Sequence, residues 1–180
     1  VTLQRDALNF DFTTLHPNAS LRVELQRAIR VPDREDTKSK LPPGMGRIGM
    51  ADITKLPNAS TAMNERGGVA VPMWTSEAMW VNFRAGKDSY PYPILIRIAA
   101  GGVDAVSGKQ WNDQPLFGKG DDQDYVVGPK PQLWLDGFKT ENGGVRQFVA
   151  VPLGEGMTVE AQVTGKENVG GVQIIVHPMR

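Results

Sequence analysis

From Leu21 to Arg27 the chain alternates apolar and polar residues almost without a break, as Leu-Arg-Val-Glu-Leu-Gln-Arg. A period of two over that length predicts a half-buried β-strand. Pro32 ends it, because proline offers no N–H to a ladder. Residues 32–46 are charged and then rich in Pro and Gly, and are expected to form a connection within the domain. Asn58 to Arg66 is expected to make a short helix, with Asn58 or Ser60 capping its start and Gly67 ending it.

After Gly67-Gly68 the pattern becomes dense in strand candidates. These are Val69–Val71, Ala78–Phe83, Ile94–Ala100, Tyr125–Val127, Leu133–Leu135, Val145–Val151 and Val172–Val176. Val103–Val106 reads as an extension of the Ile94–Ala100 strand beyond a Gly-Gly bulge. Ser107-Gly108-Lys109 reads as a turn, and residues 112–124 as a polar, acidic loop. Thr158 to Gly165 is expected to be a second short helix, with Thr158 as cap and Gly165 as stop. Many short strands separated by turn signals predict a mainly β fold: a β-sandwich or barrel-like single domain, 1–180, with one or two short helices. Residues 1–20 are expected to form an N-terminal arm. Val69-Ala70-Val71-Pro72 recurs as Val149-Ala150-Val151-Pro152, and Val106-Ser107-Gly108-Lys109 resembles Val163-Thr164-Gly165-Lys166. The offsets between the copies differ, so shared strand-end and turn chemistry explains them better than duplication.

Composition narrows the chemistry more than the fold. The 180 residues include 20 Lys+Arg and 20 Asp+Glu, for no net charge, so whole-surface attraction to nucleic acid or anionic membrane is not expected. No cysteine is present, which removes disulfides, thiolate nucleophiles and zinc–thiolate sites. No stretch approaches the roughly 20 apolar residues that span a bilayer. The chain begins at Val1, as after processing, which leaves both the cytoplasm and secretion open as compartments. Asn18-Ala19-Ser20 and Asn58-Ala59-Ser60 are sequons, and such tripeptides also arise by chance.

The most distinctive text lies in the last third: Trp134-Leu135-Asp136-Gly137, Val145 to Gly154, Thr158-Val159-Glu160, Thr164-Gly165 and Gly170-Gly171-Val172-Gln173-Ile174. With Arg66-Gly67-Gly68, Glu77-Ala78-Met79-Trp80 and Ala105-Val106-Ser107-Gly108, it resembles an uncharacterised family of microbial single-domain proteins. The resemblance runs through most of the chain after about Leu21. It implies a genuine folding unit, and it implies no activity and no catalytic residues.

Chemical motifs are sparse. Gly102 to Gly108-Lys109-Gln110 is one residue too long for a phosphate loop and lacks its hydroxyl, so a β-turn is the reading there and no cofactor is expected. Gly120-Asp121-Asp122-Gln123-Asp124 gathers three carboxylates, which can be a solvated acidic loop or, in part, calcium ligands. The alternating pattern of an EF-hand is missing, so Asp121, Asp122 and Asp124 are weak metal candidates. His16 and His177 each precede a proline, and no Gly-x-Ser-x-Gly elbow accompanies them. Glu24, Glu77, Asp104, Asp136 and Glu160 lie in or beside ordered-looking segments. Asp136, next to Trp134, is the acid whose environment most deserves a test, against the plainer reading of an Asp-Gly turn. Arg146-Gln147-Phe148-Val149 lacks the glycine and second aromatic of an RNA-binding sheet.

The aromatics supply the remaining candidates. Trp74, Trp80, Trp111 and Trp134 lie near loop boundaries, and Tyr90-Pro91-Tyr92-Pro93 is an extended aromatic pair. Such rings pack in a core, stack on a sugar, or anchor a protein partner. The leading expectation is a non-enzymatic structural or interaction module that pairs with protein, including its own copies. The alternatives are carbohydrate binding through Trp74, Trp80, Tyr90, Tyr92, Trp111 and Trp134, and a hydrolase built on a carboxylate pair.

Overall fold

The computed structural model describes residues 1–32, 42–86, 91–115, 117, 123–140 and 143–179. The fold is mainly β, with antiparallel sheets and two short helices, and is sandwich-like. In chain order the elements are β1 (Thr2–Leu3), β2 (Leu8–Asp11), β3 (Ser20–Ala28), β4 (Gly44–Arg47), β5 (Ala51–Asp52), α1 (Thr61–Arg66), β6 (Val69–Ala70), β7 (Ala78–Ala85), β8 (Ile94–Ala100), β9 (Val103–Asp104), β10 (Val126–Gly128), β11 (Trp134–Leu135), β12 (Gly137–Lys139), β13 (Val145–Val149), α2 (Val159–Thr164) and β14 (Val172–Pro178).

The larger sheet runs β1-β2-β3-β7-β13-β12, with β4 added beside β3 and β11 beside β7. The smaller runs β10-β8-β14, with β9 also on β8. The predicted alternation sets the centre of the larger sheet. Leu21, Val23 and Leu25 of β3 and Val81 and Phe83 of β7 face inward, in register from Leu21 opposite Ala85 to Ala28 opposite Ala78. Ile94, Ile96 and Ile98 of β8 close on them, and Phe138 and Phe148 meet edge to face at 4.8 Å within the same core. The apolar run of β8 is buried on both faces, as a strand at the middle of a covered sheet must be.

Both helices form where caps predict them. The Ser60 hydroxyl accepts from the Met63 N–H and Thr158 from the Ala161 N–H, and Gly67 and Gly165 end the helices with positive φ. Three features depart from the sequence reading. Gly101-Gly102 forms no bulge: it reverses the chain, so that β9 folds back antiparallel on β8. The first twenty residues are more than an arm, because β2 pairs with β3 from Leu8 opposite Val23 to Asp11 opposite Ser20. Within the expected 32–46 connection, residues 33–41 lie outside the described residues, and Gly44–Arg47 pairs with β3 as β4.

Two carboxylates tie the loops around α2 to the body. Glu160 is buried and accepts the backbone N–H groups of Asn168, Val169 and Gly170 at 2.8 Å each. Glu167 accepts from Gly154, Gly156 and Thr158 N–H groups and from the Thr158 hydroxyl. Burial works to raise the Glu160 pKa, and the three N–H donors overcome it and hold it below the usual glutamate value. Glu167 is held low by the Thr158 hydroxyl and by the Gly156 N–H.

Both groups have depressed folded-state values. Their stabilisation is complete above the unfolded value of about 4.3 and is lost as pH falls through the lower folded values. Asp104 acts with the opposite sign, because burial pushes its carboxyl up and its contribution shrinks as pH rises. Thermal melts between about pH 5 and pH 3 are therefore expected to show a falling Tm, with a shallower fall in Glu160→Gln. A flat profile for the parent protein would refute this account. A second prediction concerns Gly137, where a Cβ would stand 1.8 Å from the Arg146 carbonyl oxygen. Gly137→Ala should cost more than about 2 kcal/mol in urea denaturation, since backbone has to move to admit the methyl group.

Candidate functional site

Strand alternation that sends Leu21, Val23 and Leu25 inward sends Arg22, Glu24 and Gln26 to the outer face of the larger sheet. The β7 ladder places Arg84 opposite Arg22, Asn82 opposite Glu24 and Trp80 opposite Gln26. β4 adds Arg47 opposite Gln26, and β11 adds Trp134 opposite Asn82. Four segments of chain thus contribute to one polar face.

Glu24 is its hub and is 4% exposed. Its Oε1 meets Arg22 Nε at 2.8 Å and Arg47 Nη1 at 3.5 Å. Its Oε2 meets Asn82 Nδ2 at 3.1 Å, Arg84 Nε at 3.3 Å and Gln26 Nε2 at 3.4 Å. Arg22 and Arg47 also share the Arg5 carbonyl, at 3.3 and 3.0 Å. Burial would raise the Glu24 carboxyl, but donation from Arg22 and Asn82 and the charges of Arg84 and Arg22 hold it below the usual range. One carboxylate therefore faces three guanidiniums, for a local excess of two positive charges.

The arginines differ in exposure: Arg84 keeps 63% of its side-chain surface in solvent and Arg22 only 28%. Beyond Arg84 lies an open cavity of about 350 Å³, where Arg84 and Lys130 line a wall otherwise made of apolar residues such as Pro91, Pro129 and Leu133.

The predicted aromatics divide. Trp80 and Trp134 share this outer face. Trp134 is 37% exposed, whereas Trp80 lies against Gly44 with its Nε1 buried and without a hydrogen-bond partner among the described residues. Trp74 is 81% exposed but stands on the turn before β7, at the opposite end of that strand from Arg84. Trp111 is half-buried over the Arg97 guanidinium, 4.3 Å from its ring centroid. Tyr92 packs on His16 and donates its hydroxyl to the Met179 carbonyl. Tyr90 lies outside the described residues, as do Asp121 and Asp122.

Asp124 departs from the expectation of a solvated acidic loop. It is buried and meets the fully buried Arg97 at 2.7 Å, with Arg97 also donating to the Asn112 carbonyl. Nearby Asp104 accepts from Val106 and Ser107 through Oδ1, while its Oδ2 and the Arg97 Nε and Nη1 have no hydrogen-bond partner among the described residues. Both acids are buried rather than set in an open cleft. Of the other ordered-segment acids, Glu24 and Glu160 are held by the partners described above, and Glu77 pairs with Arg27.

Alternation along β3 made Arg22 and Glu24 legible as neighbours. Nothing local signalled Arg47 and Arg84, because distant strands deliver them. These features define a β-sandwich-like protein with a cationic, Trp-bearing sheet face. No family model matches the chain, and comparison with curated proteins and with solved structures gives no match.

The hub predicts an asymmetry. Glu24→Ala removes the acceptor shared by three guanidiniums and by the buried Asn82 and Gln26 amides and should cost about 3 kcal/mol, whereas solvent-screened Arg84→Ala should cost under about 1 kcal/mol. Chemical denaturation of the two variants checks it; equal losses would contradict the hub assignment.

Proposed function

We propose that this protein is a non-enzymatic β-sheet interaction module that pairs with a second copy of itself through the free edge of β14. The observation that supports the reading is the character of that edge. β14 is seven residues long and, among the described residues, pairs with β8 on one side only. The bonds from Gly101 N–H to the Gly171 carbonyl and from Met179 N–H to the Pro93 carbonyl fix the phase of the ladder. Antiparallel alternation then directs the backbone of Gln173, Ile175 and His177 to β8 and that of Val172, Ile174 and Val176 outward. Among the described residues no hydrogen bond reaches those outward groups.

Exposed edges are normally blunted by shortness, charge or proline. The other outermost strands follow that rule: β1 has two residues, β10 has three and ends at Pro129, and β12 has three and ends at Lys139. β14 carries Val-Gln-Ile-Ile-Val with no Asp, Glu, Lys or Arg, and its single proline is the last residue. The edge is also self-complementary. A two-fold axis at Ile174 sets Val172 opposite the partner's Val176, and three such pairs exchange about six hydrogen bonds.

Size-exclusion chromatography with light scattering should give a dimer over about 1–100 µM. Ile174→Pro removes one outward N–H and none of the bonds to β8, so it should give a monomer with a cooperative melt. Val172→Lys, at an exposed position, is the second variant and should also yield a monomer. A parent protein that stays monomeric, or variants that stay dimeric, would sink the proposal.

A further inference from the structure

We infer that the outer face of the larger sheet binds an acidic saccharide, with its carboxylates on Arg84, Arg22 and Lys130 and a sugar ring on Trp134. Three independent features of the face converge on that ligand class.

The first is a charge excess that the fold does not need. Like charges directly opposite each other in a sheet are destabilising, yet Arg22 stands directly opposite Arg84. Glu24 would be neutralised by Arg22 alone, at 2.8 Å. Arg47 and Arg84 add two further guanidiniums, in a chain whose total charge is zero. Arg84 meets Glu24 through Nε and keeps 63% of its side-chain surface exposed, so its guanidinium is open to solvent or to a ligand. A guanidinium fork matches a carboxylate in plane and spacing.

The second is the cavity on the far side of Arg84. Arg84 and Lys130 both line it, and among the described residues no acidic side chain does. The positive track thus runs from Lys130 through Arg84 to Arg22 and, past Glu24, to Arg47. The rows of Arg22 and of Gln26 lie four residues apart on β3, roughly 13 Å, so the track suits an extended ligand better than a single ion.

The third is Trp134, which sits in the middle row beside Asn82, between the Arg84 row and the Arg47 row. Its partly exposed ring offers an apolar face one row along from Arg84, which fits a ring-bearing anion. A nucleic-acid strand fits less well. It calls for successive aromatic platforms and a larger basic surplus, and one partly exposed Trp on this face of a neutral chain supplies neither. This site goes beyond edge pairing and lies on the other sheet, so Ile174→Pro should leave it intact and the two proposals fail separately.

The test is a calorimetric and tryptophan-fluorescence titration with tetragalacturonate, with maltotetraose as neutral control and oligothymidylate as rival polyanion. Saturable, salt-sensitive binding below about 1 mM is expected for tetragalacturonate alone. Arg84→Gln should weaken it about tenfold, the loss of a charge-assisted hydrogen bond. Lys130→Gln should weaken it severalfold, and Lys166→Gln, at an exposed position after α2, should not change it. Arg84→Gln is expected to fold, because Glu24 keeps Arg22, Arg47 and Asn82. Equal binding of maltotetraose, equal or tighter binding of oligothymidylate, no saturable binding, or indifference to Arg84→Gln would each overturn the assignment.

Discussion

The closing of the apolar face of the β3–β7 ladder on β8 is the contact on which the rest of this molecule depends. Leu21, Val23, Val81 and Phe83 from one sheet and Ile94, Ile96 and Ile98 from the other are all essentially removed from water. Each such side chain contributes about 1.5–3 kcal/mol by burial, so this layer outweighs any single polar contact in the protein. Once these faces are committed, the opposite faces have no freedom. Alternation forces Arg97 of β8 to the far side of the smaller sheet, where covering residues bury it. Its charge is met by Asp124, the Asn112 carbonyl and the ring of Trp111. The same alternation forces Arg22 and Glu24 onto the far side of the larger sheet, where much of the arginine charge stays in solvent.

The acids of this chain serve mainly as fasteners. Glu160 and Glu167 gather the backbone N–H groups of loops that have no strand to pair with. This is how a segment with so many glycines holds a defined shape: a carboxylate supplies several acceptor sites at once and satisfies donors that a ladder would otherwise take. Glu24 plays the same part for guanidiniums. The difference is one of balance, since the loop acids match their donors and Glu24 is outnumbered by its cations. That imbalance separates a face available for binding from a face that is merely held together.

Sheet edges bring out a second contrast. Helices and charged turns can end anywhere in solvent, but a strand presents unpaired backbone groups along its whole length. β1, β10 and β12 are brief enough that the exposure is slight, and β14 is not. Its apolar side chains also stay half-exposed at Ile174 and Val176, because core packing reaches them from one side only. Backbone and side chains on this edge therefore have the same unmet need, and a second strand answers both.

Much of the secondary structure was legible in the chain itself. The alternation at 21–27, the apolar run at 94–100, the caps at Ser60 and Thr158 and the stops at Gly67 and Gly165 all depend on near neighbours, and near neighbours are what a sequence displays. The reversal at Gly101-Gly102 was harder to read, because a Gly pair suits a bulge and a turn equally. The strands β2 and β4 escaped notice because they are short and are stabilised by lying against β3 rather than by their own composition.

What tertiary structure alone decided is which remote residues meet. Arg84 and Arg47 reach Glu24, Lys130 and Arg84 line one cavity, Trp134 and Trp80 share a face while Trp111 covers Arg97, and Asp124 meets a buried arginine. The physical reason is that local order follows from the steric and hydrogen-bonding preferences of adjacent residues. A site, in contrast, is assembled by strand order and register, and these are set by the packing of the whole core.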